Sequence, residues 1–327
     1  MKNNEYVLRI SLPVCNLKCI YCRRKNQLSS NLISTSELLD IIDAAYQNGI
    51  SRVRWTGGEP TVNKDFLNIV KRVKEIGIRE QYLSTNGTVF NKMVKNLKEN
   101  GITRVNISLD TIDSKKYKKT TGFDLLPSVL DSIKLSFDTF KLTKINTVLT
   151  RDNYEDVKSL IDFIKIIKDN GKNRKNKIAI RFIELICGGF DGDKKYVENK
   201  YLLGKDLIDR IKRIYGQIEK VNFEGDNPMC QYYKIKKNGV IFAIIPHYSV
   251  NFQCGGNKCK KIRLNPNGII SNCSIYKMFG HDLKNTTFKE KLDTFEHLIK
   301  EKQRRTQKDF KKLKHYQSDY YFWRFGV

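Results

Sequence analysis

Cys15, Cys19 and Cys22 stand in one eight-residue run, Cys-Asn-Leu-Lys-Cys-Ile-Tyr-Cys, directly after a short β-rich segment. Three thiolates this close cannot pair off among themselves in a reducing cell. They can hold three irons of a cubane iron–sulfur cluster and leave the fourth iron open to chemistry. A zinc knuckle is the alternative, but structural zinc wants four ligands in two close pairs, and no fourth ligand lies near Cys22. A second triplet, Cys254, Cys259 and Cys273, has four and then thirteen residues between its members. It again offers three ligands and one open iron, able to accept a substrate atom. A zinc site completed by His247 or His281 is the alternative there. Cys187 and Cys230 complete the eight cysteines and read as packed small side chains.

Such ligands need a frame, and the first half of the chain supplies one. Short β-rich runs alternate with amphipathic helical stretches, the pattern of βα units and a parallel sheet. Strands are expected at Tyr6–Leu12, Arg52–Thr56, Gln81–Thr85, Arg104–Leu109, Thr143–Leu149 and Lys177–Leu185. Helices are expected from Thr35 to Gly49, Asp65 to Ile76, Phe90 to Asn100, Ser114 to Thr120, Leu126 to Asp138 and Tyr154 to Lys168. The fold class is therefore α/β, a partial (β/α)6 barrel over residues 1–186. Catalytic groups of such sheets gather at the C-terminal ends of the strands. Residues 187–327 change rhythm, with a helix at Gly204–Tyr215, short β-like runs near Val221, Tyr232 and Val240–Ile245, and charged helical segments after Thr287. They read as a C-terminal α+β layer that closes the barrel and carries the second cysteine triplet.

The chain has 327 residues, 40% of them hydrophobic, enough for a full core. The start, Met-Lys-Asn-Asn-Glu, has no apolar signal region, and no apolar run reaches membrane-spanning length, so a cytoplasmic protein without membrane contact is expected. The formal charge of +26 invites a nucleic-acid reading. Because Lys far outnumbers Arg and the charge spreads over the whole chain, a solvated basic surface is the better reading, and a basic channel for a small polyanion is compatible with it.

The spacing of the first triplet, with Tyr21 just before its last Cys, resembles the signature of the radical S-adenosylmethionine (radical SAM) superfamily. Further motifs sharpen the resemblance: Gly57-Gly58-Glu59-Pro60, Thr85-Asn86-Gly87, Ser108-Leu109-Asp110, Lys144-Ile145-Asn146, Arg181-Phe182-Ile183-Glu184, and Cys259-Lys260-Lys261-Ile262-Arg263-Leu264 up to Cys273. In order and separation they are similar to those of the GTP 3′,8-cyclase family of molybdenum-cofactor biosynthesis. The resemblance implies two [4Fe–4S] clusters, on Cys15, Cys19 and Cys22 and on Cys254, Cys259 and Cys273. It also implies SAM against Tyr21, Gly57, Gly58, Glu59, Pro60, Ser108 and Arg181. GTP would be held by Arg9, Arg54, Ser84, Lys144, Asn146, Lys261 and Arg263, with electrons supplied by a donor protein.

Three departures stand out. Pro13-Val14 replaces the usual Asp-Arg before the first Cys, the second triplet opens with a four-residue gap in place of two, and the tail ends Gly326-Val327 in place of Gly-Gly. A relative acting on another nucleotide or a peptide is thus a second expectation. A non-catalytic iron–sulfur or zinc protein that binds nucleic acid is a third.

Overall fold

The computed structural model describes residues 4–22, 31–185, 196, 199–223, 230–245, 259–272 and 280–304. Its first half runs β1 (Asn4–Leu12), α1 (Thr35–Gln47), β2 (Ile50–Gly57), α2 (Phe66–Ile76), β3 (Glu80–Thr85), α3 (Val94–Glu99), β4 (Ile102–Ser108), α4 (Ser114–Thr121), α5 (Leu126–Thr139), β5 (Leu142–Leu149), α6 (Val157–Asn170) and β6 (Lys177–Glu184). The remainder runs α7 (Gly204–Tyr215), β7 (Ile218–Val221), β8 (Gln231–Ile235), β9 (Ile241–Ile245), β10 (Lys261–Leu264), β11 (Ile269–Ser271), β12 (His281–Asp282) and α8 (Phe288–Arg304).

All these strands form one sheet, in the order β12-β11-β10-β1-β2-β3-β4-β5-β6-β9-β8-β7. The six expected strands lie side by side and parallel. β10 adds a parallel strand beside β1, and β9 adds one beside β6, so the parallel run is wider than the six expected. Antiparallel strands then finish both edges. The result is an α/β partial barrel whose two edges both come from the C-terminal part of the chain.

Local chemistry sets the helices. Ser34 caps α1 in a reciprocal capping box with Glu37, and Leu38, Ile41, Ile42 and Ala45 bury its inner face. The single helix expected over Phe90–Asn100 divides into a 3₁₀ turn at Phe90–Lys92 and then α3. Phe90 is fully buried, with its ring 6.2 Å from that of Phe140, and Ser132 Oγ accepts from Asn91 N–H. These contacts fix the start of the segment in a tighter turn.

Strands covered on both faces normally read as continuous apolar runs. Here they alternate. Leu8 and Ile10, Val53 and Trp55, Leu83, Val105 and Ile107 join the core beneath the helices. The other face carries Arg9 and Ser11, Arg54 and Thr56, Tyr82 and Ser84, Asn106 and Ser108, Lys144 and Asn146, and Arg181. The inner face of the barrel is therefore a polar, cation-lined surface.

On the helix side, Trp55 is fully buried, packs edge-on against Phe66 at 5.6 Å, and donates its indole N–H to Gln81 Oε1 at 2.9 Å. Gln81→Leu keeps the volume and removes the acceptor. It should cost about 1–3 kcal/mol, the penalty of a buried donor left unmade, read as a lower denaturant midpoint at unchanged slope.

Candidate active site

The cysteine loop leaves the C-terminal end of β1 and is clasped from both sides. On one side Gly58 N–H donates to Leu12 O at 2.7 Å and Glu59 N–H to Val14 O at 2.6 Å. A Cβ on Gly58 would lie 1.9 Å from Val14 O, and one on Gly57, whose φ is +116°, would lie 2.3 Å from Leu12 N. Both glycines are thus required by the approach of the cysteine loop itself. Glu59 is buried and accepts from Thr61 N–H and Oγ1, from Thr85 Oγ1 and from Asn86 N–H, tying the end of β2 to the end of β3. Asn86 in turn donates to Asn16 Oδ1 at 2.9 Å, and its Nδ2 lies 3.9 Å from Cys15 Sγ. On the other side Lys18 and Ile20 N–H donate to the last carbonyls of α4, Thr121 O at 2.9 Å and Thr120 O at 3.0 Å, and Tyr21 OH bonds Asp110.

Cys15 and Cys22 are exposed and Cys19 is half-buried. Burial, then the charges of Asp110, Cys22 and Cys15, push the Cys19 thiol up to about 12. Burial likewise raises Cys15, partly offset by the Leu17 N–H that points at its sulfur. Among the described residues no three His, Cys, Asp or Glu converge as a single ion requires. A cubane asks for something else, since each thiolate takes a different iron. The donors aimed at Cys15 and the mutual repulsion of neighbouring thiolates fit a cluster that supplies positive charge.

Below this rim the inner face holds the predicted cations. Arg9 sits in register with Arg54 and with Arg263, and Arg54 with Tyr82. Asn106 is in register with Ser84 and Lys144, and Asn146 with Ser108 and Arg181. Arg181 is buried and its guanidinium is fixed by Asn146 Oδ1, at 2.9 Å from Nε, and Asn106 Oδ1, at 2.9 Å from Nη2. Arg54 lies over the Tyr82 ring at 5.6 Å. Lys144 is only 3% exposed and lies 5.9 Å from the centre of the Tyr232 ring. Burial first, then Arg181 and Arg54, lower the Lys144 ammonium to about 7. Burial, then Arg54 and Arg9, lower Lys261 to about 8. Burial, then Arg181 and Arg104, lower Arg54 to about 9, which leaves a guanidinium charged at neutral pH.

Sequence reasoning missed Arg104, which also lies over the Tyr82 ring, at 4.9 Å, as well as Tyr82, Asn106 and Tyr232. The strict alternation of the strands was the signal that could have found the first three. Of the second triplet only Cys259 lies among the described residues, with the buried Lys302 Nζ 2.9 Å from its carbonyl and 3.8 Å from its sulfur. Cys254, Cys273, Cys187, His247 and the Gly326-Val327 tail lie outside them. His281 is exposed and its ring packs edge-on against His297 at 5.7 Å.

Residues 10–164 match the radical SAM superfamily. A GTP 3′,8-cyclase of Clostridium perfringens (strain SM101 / Type A) is 33% identical over 284 residues, covering 85% of this chain and 82% of the relative. One from Limosilactobacillus fermentum is 34% identical over 83% of this chain and 79% of its own length. The chain belongs to the GTP 3′,8-cyclase family of radical SAM enzymes. Among solved structures, Streptococcus suis SuiB bound to S-adenosylmethionine shares the fold with a TM-score of 0.62 at 18% identity, over 92% of this chain and 68% of SuiB.

Membership in the radical SAM superfamily implies a [4Fe–4S] cluster and SAM. Beside it lies a cavity lined by Tyr21, Asp110, Thr111, Val148, Asn153 and Tyr196. Asp110, buried beneath Tyr21, is pushed up to about 6 by burial, although its bonds from Tyr21 and Val148 N–H lower it. Among the described residues no helix is long and apolar enough to cross a membrane.

The backbone clasp yields a test. Gly58→Ala forces its Cβ into Val14 O and should displace the cysteine loop while the sheet stays intact, at a cost of about 1–3 kcal/mol for overpacking. Iron bound after anaerobic reconstitution should drop well below wild type while far-ultraviolet circular dichroism stays unchanged.

Proposed function

We propose that this chain binds SAM at the cluster on Cys15, Cys19 and Cys22 and acts on GTP, closing ribose C3′ onto guanine C8 to give (8S)-3′,8-cyclo-7,8-dihydroguanosine 5′-triphosphate. The observation that carries this reading is the set of cations on the inner face below the cysteine loop, Lys144 and Arg181 buried and Arg9, Arg54, Lys261 and Arg263 half-buried. A triphosphate is a ligand that such a set of cations can grip. When bound, the reduced cluster supplies one electron to the SAM sulfonium, and the resulting 5′-deoxyadenosyl radical takes the substrate hydrogen.

The chain's own residues do the positioning. Tyr21, Ser108 and the Gly57–Pro60 turn stand at the rim, where SAM would lie, with Arg181, braced by Asn106 and Asn146, on the same level as Ser108. Arg9, Arg54 and Arg263 lie deeper, with Ser84 and Lys144 between, so the phosphates enter first and the ribose remains toward the rim. Arginine forks grip phosphate oxygens in pairs, and Lys144 adds a point charge whose proton the phosphates would hold in place. Cys254, Cys259 and Cys273 are assigned to a second [4Fe–4S] cluster whose open iron would receive the guanine, and an external protein would supply two electrons in each turnover, one to cleave SAM and one that, with a proton, reduces the radical left on the guanine after C3′–C8 closure.

Lys144 gives a pH test. Its pKa is about 7 in the free protein, and an adjacent triphosphate raises it. Between the two values binding takes up a proton, so affinity is level below the free value and falls as pH rises above it. Calorimetry at about pH 8 in buffers of different ionisation enthalpy should show net proton uptake on GTP binding, most of it by Lys144 and a smaller share by Lys261, which is lowered to about 8. Lys144→Met should remove the larger share of that uptake and weaken binding by about 1.5–3 kcal/mol. No GTP binding at millimolar nucleotide, with SAM cleavage intact, would overturn the substrate assignment.

A further inference from the structure

The inner face of the barrel carries an acid among its cations. From β2 to β5 the side chains of that face are basic, polar or apolar except at Glu80, the first residue of β3. Glu80 is in register with Arg52, Arg52 with Val7, and Val7 with Lys261. It therefore stands one level below Arg54, Tyr82 and Arg104, two residues or about 7 Å farther from the rim along the strands.

Three groups hold its carboxylate. Arg52 Nε lies 3.4 Å from Oε2, Arg104 Nη2 lies 3.9 Å from the same oxygen, and Tyr82 OH donates to it. Arg104 and Arg54 both lie over the Tyr82 ring, which joins Glu80 to the guanidiniums of the level above. The side chains of Arg52, Glu80 and Arg104 are 39%, 33% and 33% exposed, and ion pairs this open to water contribute little to folding. Their consequence lies in binding. A terminal phosphate brings up to about two negative charges against the one of a carboxylate, so at this level it takes Arg52 and Arg104 for itself. The released carboxylate then stands beside it as a like charge. A diphosphate anchored at Lys144 and Arg54 stops above this level and leaves the ion pairs closed.

We propose that Glu80 is an internal counter-anion that competes with the third phosphate for Arg52 and Arg104, and so limits how tightly a triphosphate is held. This rests on the reading of the lumen cations as a triphosphate site. A grip shared by GTP and the cyclised triphosphate adds nothing to the rate of the chemical step and slows release. A carboxylate that weakens this grip lets the product leave.

The test measures dissociation constants by calorimetry, at one low ionic strength, for GTP, GDP and inorganic tripolyphosphate on the anaerobically reconstituted protein and its Glu80→Gln variant. Glu80→Gln keeps the shape and an acceptor for Tyr82 OH while removing the charge. GTP and tripolyphosphate should bind about tenfold more tightly to the variant, whereas GDP should stay within about twofold. Unchanged or weaker tripolyphosphate binding to the variant would overturn the proposal, and so would a gain for GDP as large as that for GTP. If the variant does not fold, Glu80→Gln/Arg104→Gln is compared with Arg104→Gln. Tighter tripolyphosphate binding to the double variant then supports competition by Glu80, and equal binding overturns it. Tighter tripolyphosphate binding to Glu80→Gln with no GTP binding to either protein would keep the proposal and remove GTP as the ligand.

Discussion

Cations gathered in a buried space repel one another, and this barrel gathers them on purpose. Arg54, Lys144 and Lys261 are disturbed first by burial and then by other cations, Arg181 and Arg54 recurring among the causes. Removing such groups from water is costly, and their mutual repulsion adds to the cost. The sheet can carry them because its other face is a continuous apolar core beneath the helices. A polyanion entering the lumen would convert the repulsion into attraction, so the stability withheld from the empty protein becomes binding energy. Asn106 and Asn146 contribute by holding Arg181 in one orientation before any ligand arrives.

The rim depends on a different constraint, the contact of two backbones. The cysteine loop lies so close to the Gly57–Gly58 turn that no Cβ fits between them. Glu59 then links that turn to Thr85 and Asn86, and Asn86 reaches back to Asn16 and Cys15. The loop, the turn and the end of β3 form one hydrogen-bonded unit. The position of the cysteine loop relative to the lumen is therefore set by the strand ends to which it is bonded.

The first six strands and the cysteine loop were legible because period-two alternation and turn glycines are local signals. β10 was not. Lys-Ile-Arg-Leu is a four-residue run among charges, and it becomes a strand only by pairing with β1 from the far end of the sequence. β9 was legible as a strand, but its place beside β6 was not, for the same reason of non-local pairing. Gly57 and Gly58 could be singled out from sequence, yet the partners that demand them, the backbone of Leu12 for Gly57 and the carbonyl of Val14 for Gly58, emerged only from the fold. The cations at Arg9, Arg54, Lys144, Lys261 and Arg263 came through family resemblance, while Arg104 and Tyr82 fell between motifs.

The claim at the centre is geometric: cations deep in the lumen hold a triphosphate so that the ribose meets the radical formed at the rim. The most direct measurement uses GTP carrying deuterium at ribose C3′, incubated anaerobically with the reconstituted protein, SAM and dithionite. The account predicts 5′-deoxyadenosine one deuterium heavier than the control. SAM cleavage that proceeds in the presence of the labelled GTP and yields only unlabelled 5′-deoxyadenosine would contradict it.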